Sequence, residues 1–70
     1  MLPLTIARPG EIAHIKKITG KDETVRHLEN LGFLVGSDII IVSELAGNLI
    51  LNVKGTRIAL DRAMANRIMI

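Results

Sequence analysis

The chain has 70 residues, carries a formal charge of +2 and contains no cysteine. A chain of this length forms one domain, residues 1–70, and the lack of cysteine excludes disulfides and thiolate metal sites. Its first residues do not resemble a signal peptide, and every apolar run is far shorter than the roughly 20 residues that span a bilayer. We therefore expect a cytoplasmic protein. The mild charge does not by itself indicate a nucleic-acid partner.

Apolar residues make up 49% of the chain, yet Phe33 is its only aromatic residue. A domain of this size buries only about 60% of the surface that its unfolded chain exposes. We therefore expect part of the aliphatic surface to stay exposed, where it can contact a partner or a second copy of the chain.

The first part of the chain is predicted to form two strands. Apolar residues alternate with other residues over positions 1–6, and a turn at 8–10 leads into a second strand over 11–18. The alternation in this second strand is imperfect, and a bulge near Lys16 and Lys17 would turn Ile18 back toward the interior.

An α-helix is predicted to begin after Asp22, whose carboxylate can cap the first turn, and to end at Gly32. Its buried face would consist of three residues at helical spacing: Val25, Leu28 and Leu31. Asp22 lies four residues before Arg26, the spacing at which opposite charges on a helix can pair. A short apolar segment, residues 33–35, and a turn at 36–38 connect the helix to the next strand.

The second half of the chain is predicted to be a series of short strands. We expect strands at residues 39–43, 49–54, 57–60 and 66–70, with tight turns at 46–48 and 55–56. Asp61 would cap a single helical turn over residues 62–65. The alternation predicts seven inward-facing side chains: Leu49, Leu51, Val53, Ile58, Leu60, Ile68 and Ile70.

These elements predict a mostly β fold, a small SH3-like barrel of five to six short strands with one inserted α-helix and a short C-terminal helical turn. Closure would remove the exposed edges of a short sheet, and the apolar terminal strands could pair to complete the barrel. An open α+β sheet is the alternative architecture.

Four sequence motifs occur in order along the chain: Pro9-Gly10-Glu11 before a strand; Leu28-x-x-Leu31-Gly32-Phe33 leading to Gly36-x-x-Ile39; Gly55-Thr56-Arg57-Ile58-Ala59-Leu60; and Ala65-x-x-Ile68-x-Ile70. Each motif is weak alone, but the ordered set covers essentially the whole chain and resembles the FeoA family. The resemblance implies an SH3-like barrel with a helical insertion. It also implies a cytoplasmic accessory role in ferrous iron uptake, beside the membrane GTPase-transporter FeoB.

The same motifs resemble the C-terminal SH3-like module of DtxR-type iron-dependent repressors. Such a repressor also needs a winged helix-turn-helix and a dimerisation segment, which this chain lacks, so a stand-alone accessory protein is preferred and a regulatory module is the alternative. A small RNA-binding barrel is a further alternative, because four basic residues lie close in sequence: Lys16, Lys17, Lys21 and Arg26. Aromatic residues that could stack on bases are missing beside them, so we expect no nucleic-acid partner.

No arrangement of residues indicates catalysis, so we expect a non-enzymatic protein without a cofactor. The seven carboxylates are scattered over predicted turns and helix faces, where solvation and helix capping are their usual roles. No nucleophile lies at a spacing that pairs it with a base. His14 and His27 fall in different elements without a ligand-spaced partner, so we predict no metal site. A metal-sensing domain that uses these histidines is the alternative.

The helix and the segment that follows it are the predicted docking surface for the transporter. Phe33 and Leu34 would supply apolar contacts, and Lys16, Lys17 and Arg26 would orient an acidic partner. Burial of Phe33 in the core is an alternative of equal weight. The aliphatic excess also predicts a weak homo-oligomer.

Overall fold

The structure is a computed structural model that describes residues 1–20 and 22–70. Six strands lie within these residues: β1 (Ile12–His14), β2 (Lys17–Ile18), β3 (Asp38–Leu45), β4 (Asn48–Val53), β5 (Thr56–Asp61) and β6 (Ile68–Met69). The same residues contain helix α1 (Glu23–Asn30), helix α2 (Arg62–Ala65) and a 3-10 helix (Leu4–Ile6). The longest of these helices, α1, has eight residues, and none in the described chain has the length and hydropathy of a membrane-spanning helix. The predicted mostly β fold, with one inserted helix and a C-terminal helical turn, is confirmed.

The strands form two antiparallel sheets. The larger sheet has the order β1-β3-β4-β5, and the smaller sheet pairs β2 with β6. The described residues therefore contain two separate hydrogen-bonded ladders rather than one continuous ladder around a closed barrel. The chain ends pair as predicted, because Leu2 and Ile70 exchange main-chain hydrogen bonds of 2.9 and 2.7 Å.

Two tight hairpins build the centre of the larger sheet. The β3–β4 hairpin turns through Ala46 and Gly47, and the β4–β5 hairpin turns through Lys54 and Gly55. All four residues have positive φ angles, between 52° and 83°. Positive φ at both loop residues is the type I′ geometry, whose twist matches that of the paired strands. The hairpins therefore align β3, β4 and β5 as consecutive neighbours.

Residues 1–6 do not form the predicted strand. The N–H groups of Ile6 and Ala7 donate hydrogen bonds to the carbonyls of Pro3 and Leu4, at 3.2 and 3.0 Å, which makes a turn of 3-10 helix. Leu4 is buried, whereas Leu2 and Ile6 are exposed, so the three residues do not share one inward face. Pro3 still forms an isolated antiparallel bridge with Met69, and the chain leaves the sheet arrangement after it, where the 3-10 turn begins at Leu4.

The predicted strand over residues 11–18 is also corrected, because the chain passes from one sheet to the other within it. The N–H of Ile15 donates to the carbonyl of Ser37, next to the larger sheet, at 2.9 Å. The N–H of Lys16 donates to the carbonyl of Met69, in the smaller sheet, at 2.8 Å. Ile18 packs against the core as predicted, but a change of sheet rather than a bulge places it there.

One hydrophobic core joins the two sheets and both helices. Thirteen apolar residues of the described chain are buried: Leu4, Ala13, Ile15, Leu28, Phe33, Ile39, Ile41, Leu49, Leu51, Val53, Leu60, Ala65 and Ile68. Five of the seven predicted inward-facing strand residues belong to this set, and the other two, Ile58 and Ile70, pack against it. On α1, Leu28 is buried, Leu31 packs against the core and Val25 is half-buried. The predicted helix face is thus the one that meets the core.

Candidate docking surface

Helix α1 is fixed at its N-terminus by Asp22. Its carboxylate accepts a hydrogen bond from the N–H of Thr24 at 3.2 Å, as predicted for an N-cap. The same oxygen accepts a hydrogen bond from Nη1 of Arg67 at 2.9 Å. Within the described residues the ion-pair partner of Asp22 is therefore Arg67, and the predicted pair with Arg26 is wrong. The hydrogen bond from Arg67 holds the pKa of Asp22 below its ordinary value of 3.8.

The C-terminus of α1 ends in a Schellman motif. The N–H of Gly32 donates to the carbonyl of Glu29 at 2.9 Å, and the N–H of Phe33 donates to the carbonyl of Leu28 at 3.0 Å. Gly32 has a φ angle of 103°, which L side chains rarely adopt, and a Cβ there would lie 3.2 Å from Cγ1 of Val53. This position therefore favours glycine on two separate grounds.

Phe33 lies in the core and does not contribute to a docking surface. Its side chain has an exposed fraction of 0%, and both Phe33 and Leu28 belong to the core. A hydrophobic contact between these two positions commonly accompanies a Schellman motif. The apolar docking role predicted for Phe33 is therefore corrected, and the core alternative holds. The spacing Leu28-x-x-x-Gly32-Phe33 carries this signal in the sequence.

The segment after the Schellman motif turns outward. The N–H of Ser37 donates to the carbonyl of Leu34 at 3.0 Å, and Gly36 has a φ angle of 93°, so residues 34–37 form a type II turn. Two main-chain hydrogen bonds fix this turn to Ile15. The N–H of Gly36 donates to the carbonyl of Ile15 at 2.8 Å, and the N–H of Ile15 donates to the carbonyl of Ser37 at 2.9 Å. Leu34 is 39% exposed and Val35 is 64% exposed. We call these two side chains the docking turn.

Val35 is the docking candidate that the sequence prediction missed. It occupies the second position of a turn whose third position requires a positive φ angle, and Gly36 supplies that conformation. A side chain at the second position of such a turn lies at its outer corner. An apolar residue directly before a glycine, here Val35 before Gly36, is the sequence signal that could have identified this exposed position.

Lys16 and Lys17 follow directly after the residue that anchors the docking turn. Both lysines and Arg26 are exposed. In residues 1–20 and 22–70, no ion pair involves any of these three cations. The structure thus places four of the five predicted docking residues at the surface and one, Phe33, in the core.

The two histidines lie in different elements, as predicted. Nδ1 of His14 is 2.7 Å from Oδ1 of Asp38, its cross-strand neighbour between β1 and β3, and both side chains are exposed. His27 is exposed on α1. Across the part of the chain that the structure describes, no three His, Asp or Glu side chains lie together where they could hold a metal ion. His14 and Asp38 bring together only two side chains of the kind that bind metal ions.

Most carboxylates have local structural partners. Asp61 caps α2 as predicted, because its Oδ1 accepts a hydrogen bond from the N–H of Met64 at 2.8 Å. Glu11 accepts a hydrogen bond from the N–H of Arg8 at 2.6 Å, which closes the turn before β1. Glu44 of β3 lies 3.5 Å from Nη2 of an exposed arginine on α2. These contacts are those of capping, turn formation and surface pairing.

The fold defines a class of protein. Two small antiparallel sheets, the larger of them built around two tight hairpins, with a helix inserted between β2 and β3, form an SH3-like module. The apo form of the manganese-activated repressor ScaR shares it, with a TM-score of 0.85 and 23% identity. That match covers 96% of this chain but only 33% of the repressor. A likeness at this level of identity shows a common fold alone.

The comparisons also show the family. Residues 2–70 match the family model described as the FeoA domain. A relative from Methanocaldococcus jannaschii, described as "Putative Fe(2+) transport protein A", is 33% identical over 100% of this chain and 85% of its own length. The crystal structure of an iron uptake regulatory protein (FeoA) matches with a TM-score of 0.89 and 28% identity. The match covers 97% of this chain and 90% of the chain in that crystal structure. The chain belongs to the FeoA family.

A third match comes from Clostridium thermocellum. The solution structure of its iron(II) transport protein A has a TM-score of 0.91 and 26% identity, covering 97% of this chain and 43% of that one. The family resemblance predicted from the ordered sequence motifs is therefore confirmed over essentially the whole chain.

Proposed function

We propose that this chain is a small cytoplasmic accessory protein of ferrous iron uptake, which docks on the cytoplasmic part of a FeoB-like membrane GTPase-transporter and catalyses no reaction itself. Membership of the FeoA family supports the accessory role, and the description of the relative from Methanocaldococcus jannaschii supports the link to Fe(2+) transport. The observation that carries the docking part of the proposal is the outward turn with Leu34 and Val35 exposed on it.

The docking turn has the physical properties of an interface centre. Its two aliphatic side chains are adjacent, and one hydrogen bond within the turn and two bonds to Ile15 hold the main chain beneath them. Because the turn is already ordered, binding costs little further conformational entropy there. Apolar contacts at the centre with charges at the rim are typical of transient interfaces.

Three exposed cations on the segments that lead to the turn would supply the charged part of the surface. Lys16 and Lys17 adjoin the anchor of the turn, and Arg26 lies on the helix that leads into it. Exposed charges of this kind mainly raise the association rate and orient the partner, rather than adding much affinity. The complementary surface on the transporter is therefore expected to be apolar at its centre and acidic at its edge.

Uptake of radioactive ferrous iron in cells that lack this chain tests the proposed function. We expect deletion to lower uptake, and the wild-type chain to restore it. The variants Leu34→Asp and Val35→Asp should fail to restore uptake, whereas Leu45→Asp should succeed, because Leu45 is 69% exposed but lies at the β3–β4 hairpin. Unchanged uptake after deletion, or full rescue by both docking-turn variants, would contradict the proposal.

A further inference from the structure

Strand β5 is an edge strand whose outer side has no partner among the described residues. It pairs only with β4, through the register in which Val53 lies opposite Thr56. These two residues flank the two-residue turn, so they form a hydrogen-bonded pair. Hydrogen-bonded and non-bonded pairs alternate along an antiparallel ladder, so the main-chain groups of Arg57 and Ala59 point away from β4. Within residues 1–20 and 22–70, no other main-chain hydrogen bond uses them.

The side chains along this edge alternate in a way that suits pairing with another strand. Arg57, Ala59 and Asp61 are exposed on one face, whereas Ile58 and Leu60 point toward the core. The described residues show no ion pair for Arg57 or Asp61. Asp61 uses Oδ1 to cap α2, and no side-chain hydrogen bond of the described residues uses its other carboxylate oxygen. A small residue therefore lies midway between two opposite charges that can each still pair with a partner.

From this pattern we infer that β5 is a self-complementary edge at which two copies of the chain pair as antiparallel strands. When Ala59 of one copy lies opposite Ala59 of the other, Arg57 of each copy lies directly opposite Asp61 of the other. The outward-pointing groups of Ala59 then exchange two hydrogen bonds across the two-fold axis. The register that charge favours is thus also the register in which the main-chain groups face each other.

Other registers fit the same edge less well. Registers that place Arg57 opposite Ala59, or Ala59 opposite Asp61, form neither charge pair, and further shifts oppose like charges. In the Ala59-centred register the two larger sheets join into one sheet of eight strands around an isologous interface. A single strand edge buries less than the roughly 800 Å² per partner of a stable interface, so we expect a dimer that forms only at high protein concentration.

Single cysteines test this arrangement directly, because the chain has no cysteine of its own. In a hydrogen-bonded antiparallel pair the two Cα atoms are about 5.5 Å apart, within the range that a disulfide bridges. Under mild oxidation, in which an added disulfide reagent accepts the two electrons, we expect Ala59→Cys to form a covalent dimer at least about tenfold faster than Ala63→Cys. Ala63 is exposed on α2, outside the edge, which makes it the matched control.

Charge variants then separate the proposed register from chance collisions. Adding Arg57→Glu to Ala59→Cys places the introduced carboxylate of each copy opposite Asp61 of the other, so both former charge pairs become repulsive. The oxidation rate should then fall to that of Ala63→Cys. Adding Arg8→Glu instead makes the same charge change in the turn before β1 and should leave the rate unchanged. Equal rates for both cysteine variants, or no effect of Arg57→Glu, would overturn the inference.

Sedimentation equilibrium of the wild-type chain provides a measurement without substitutions. We expect a monomer at about 10 µM and a dimer fraction that grows as the protein concentration approaches about 1 mM. Ala59→Pro should abolish this dimer, because proline removes the N–H at the centre of the proposed strand pair without breaking the hydrogen bonds to β4. A wild-type chain that stays monomeric at 1 mM would overturn self-pairing and leave the edge to a strand from another protein. This inference does not depend on transporter docking, since neither experiment contains the transporter.

Discussion

The N–H of Phe33 donates to the carbonyl of Leu28 at 3.0 Å, and this contact separates the buried part of the α1–β3 connection from its exposed part. It places Phe33 in the core beside Leu28. The next two residues, Leu34 and Val35, then lie on the outward turn. A single helix-ending motif therefore determines which apolar side chains stabilise the fold and which can meet a partner.

Phe33 and Leu34 should differ sharply in their contribution to stability. Truncating a buried phenylalanine to alanine typically costs about 3–5 kcal/mol, so Phe33→Ala should remove most of the free energy of unfolding of so small a domain. Leu34→Ala should cost less than about 1 kcal/mol, because the side chain is partly exposed. Urea unfolding followed by circular dichroism measures both. Similar costs for the two variants would contradict the burial difference.

Gly32 and Gly36 form a matched pair for testing the Schellman motif. Both have positive φ angles, so alanine is strained at either position, by on the order of 1–2 kcal/mol. A Cβ at Gly32 also meets Val53 at 3.2 Å, whereas nothing lies within 4 Å at Gly36. Gly32→Ala should therefore destabilise the domain more than Gly36→Ala, as measured by thermal unfolding. The reverse order would show that crowding at Val53 is unimportant.

The contact between Asp22 and Arg67 should make stability fall in acid. The pKa of Asp22 is lowered in the folded chain, so the stability that it contributes is present above the ordinary carboxyl value of 3.8 and is lost as pH falls through the lowered value. Asp22→Asn keeps a good N-cap but cannot titrate.

The free energy of unfolding between pH 5 and pH 2 should therefore fall less steeply for Asp22→Asn than for the wild type. Arg67→Ala should flatten the same part of the curve, since it removes the main cause of the lowered pKa. Parallel curves for all three proteins would show that this contact does not contribute to acid sensitivity.

Ala46 offers a stabilising substitution. It has a φ angle of 52° in the β3–β4 turn, a conformation that alanine adopts at a cost. Asparagine tolerates this region and Asn-Gly is the preferred type I′ pair, whereas left-handed backbone costs most other residues roughly 1–2 kcal/mol, so Ala46→Asn should raise the free energy of unfolding by part of that, about 0.5–1 kcal/mol. The same change at Ala63, on helix α2, should not stabilise the protein. Chemical denaturation of both variants distinguishes turn chemistry from a general effect of asparagine.

Local patterns predicted much of this fold because they reflect local physics. The alternation over residues 49–53 and the helix caps Asp22 and Asp61 depend on neighbours a few residues away, and the structure agrees with each. The sheet change at Lys16 could not be predicted, because its hydrogen-bond partner, Met69, lies far along the chain. The pairing of Asp22 with Arg67 is hidden for the same reason.

The surface was harder to predict than the fold. Apolar composition identified Phe33 and Leu34 together as contact residues, although only their positions relative to Gly32 distinguish core from surface. The exposed charges Lys16, Lys17 and Arg26 were correctly expected to be outside, since burial of an unpaired cation is costly. Their role in binding depends on a partner surface, which one sequence does not contain.

The most direct test is a calorimetric titration of the chain into the purified cytoplasmic domain of the transporter, with wild type, Leu34→Asp, Val35→Asp and Leu45→Asp compared. We predict that the wild type and Leu45→Asp bind equally. Each docking-turn variant should bind at least about tenfold more weakly, because a buried unpaired carboxylate at an interface centre is costly. Equal affinity of all four proteins, or no binding by the wild type, would contradict the account.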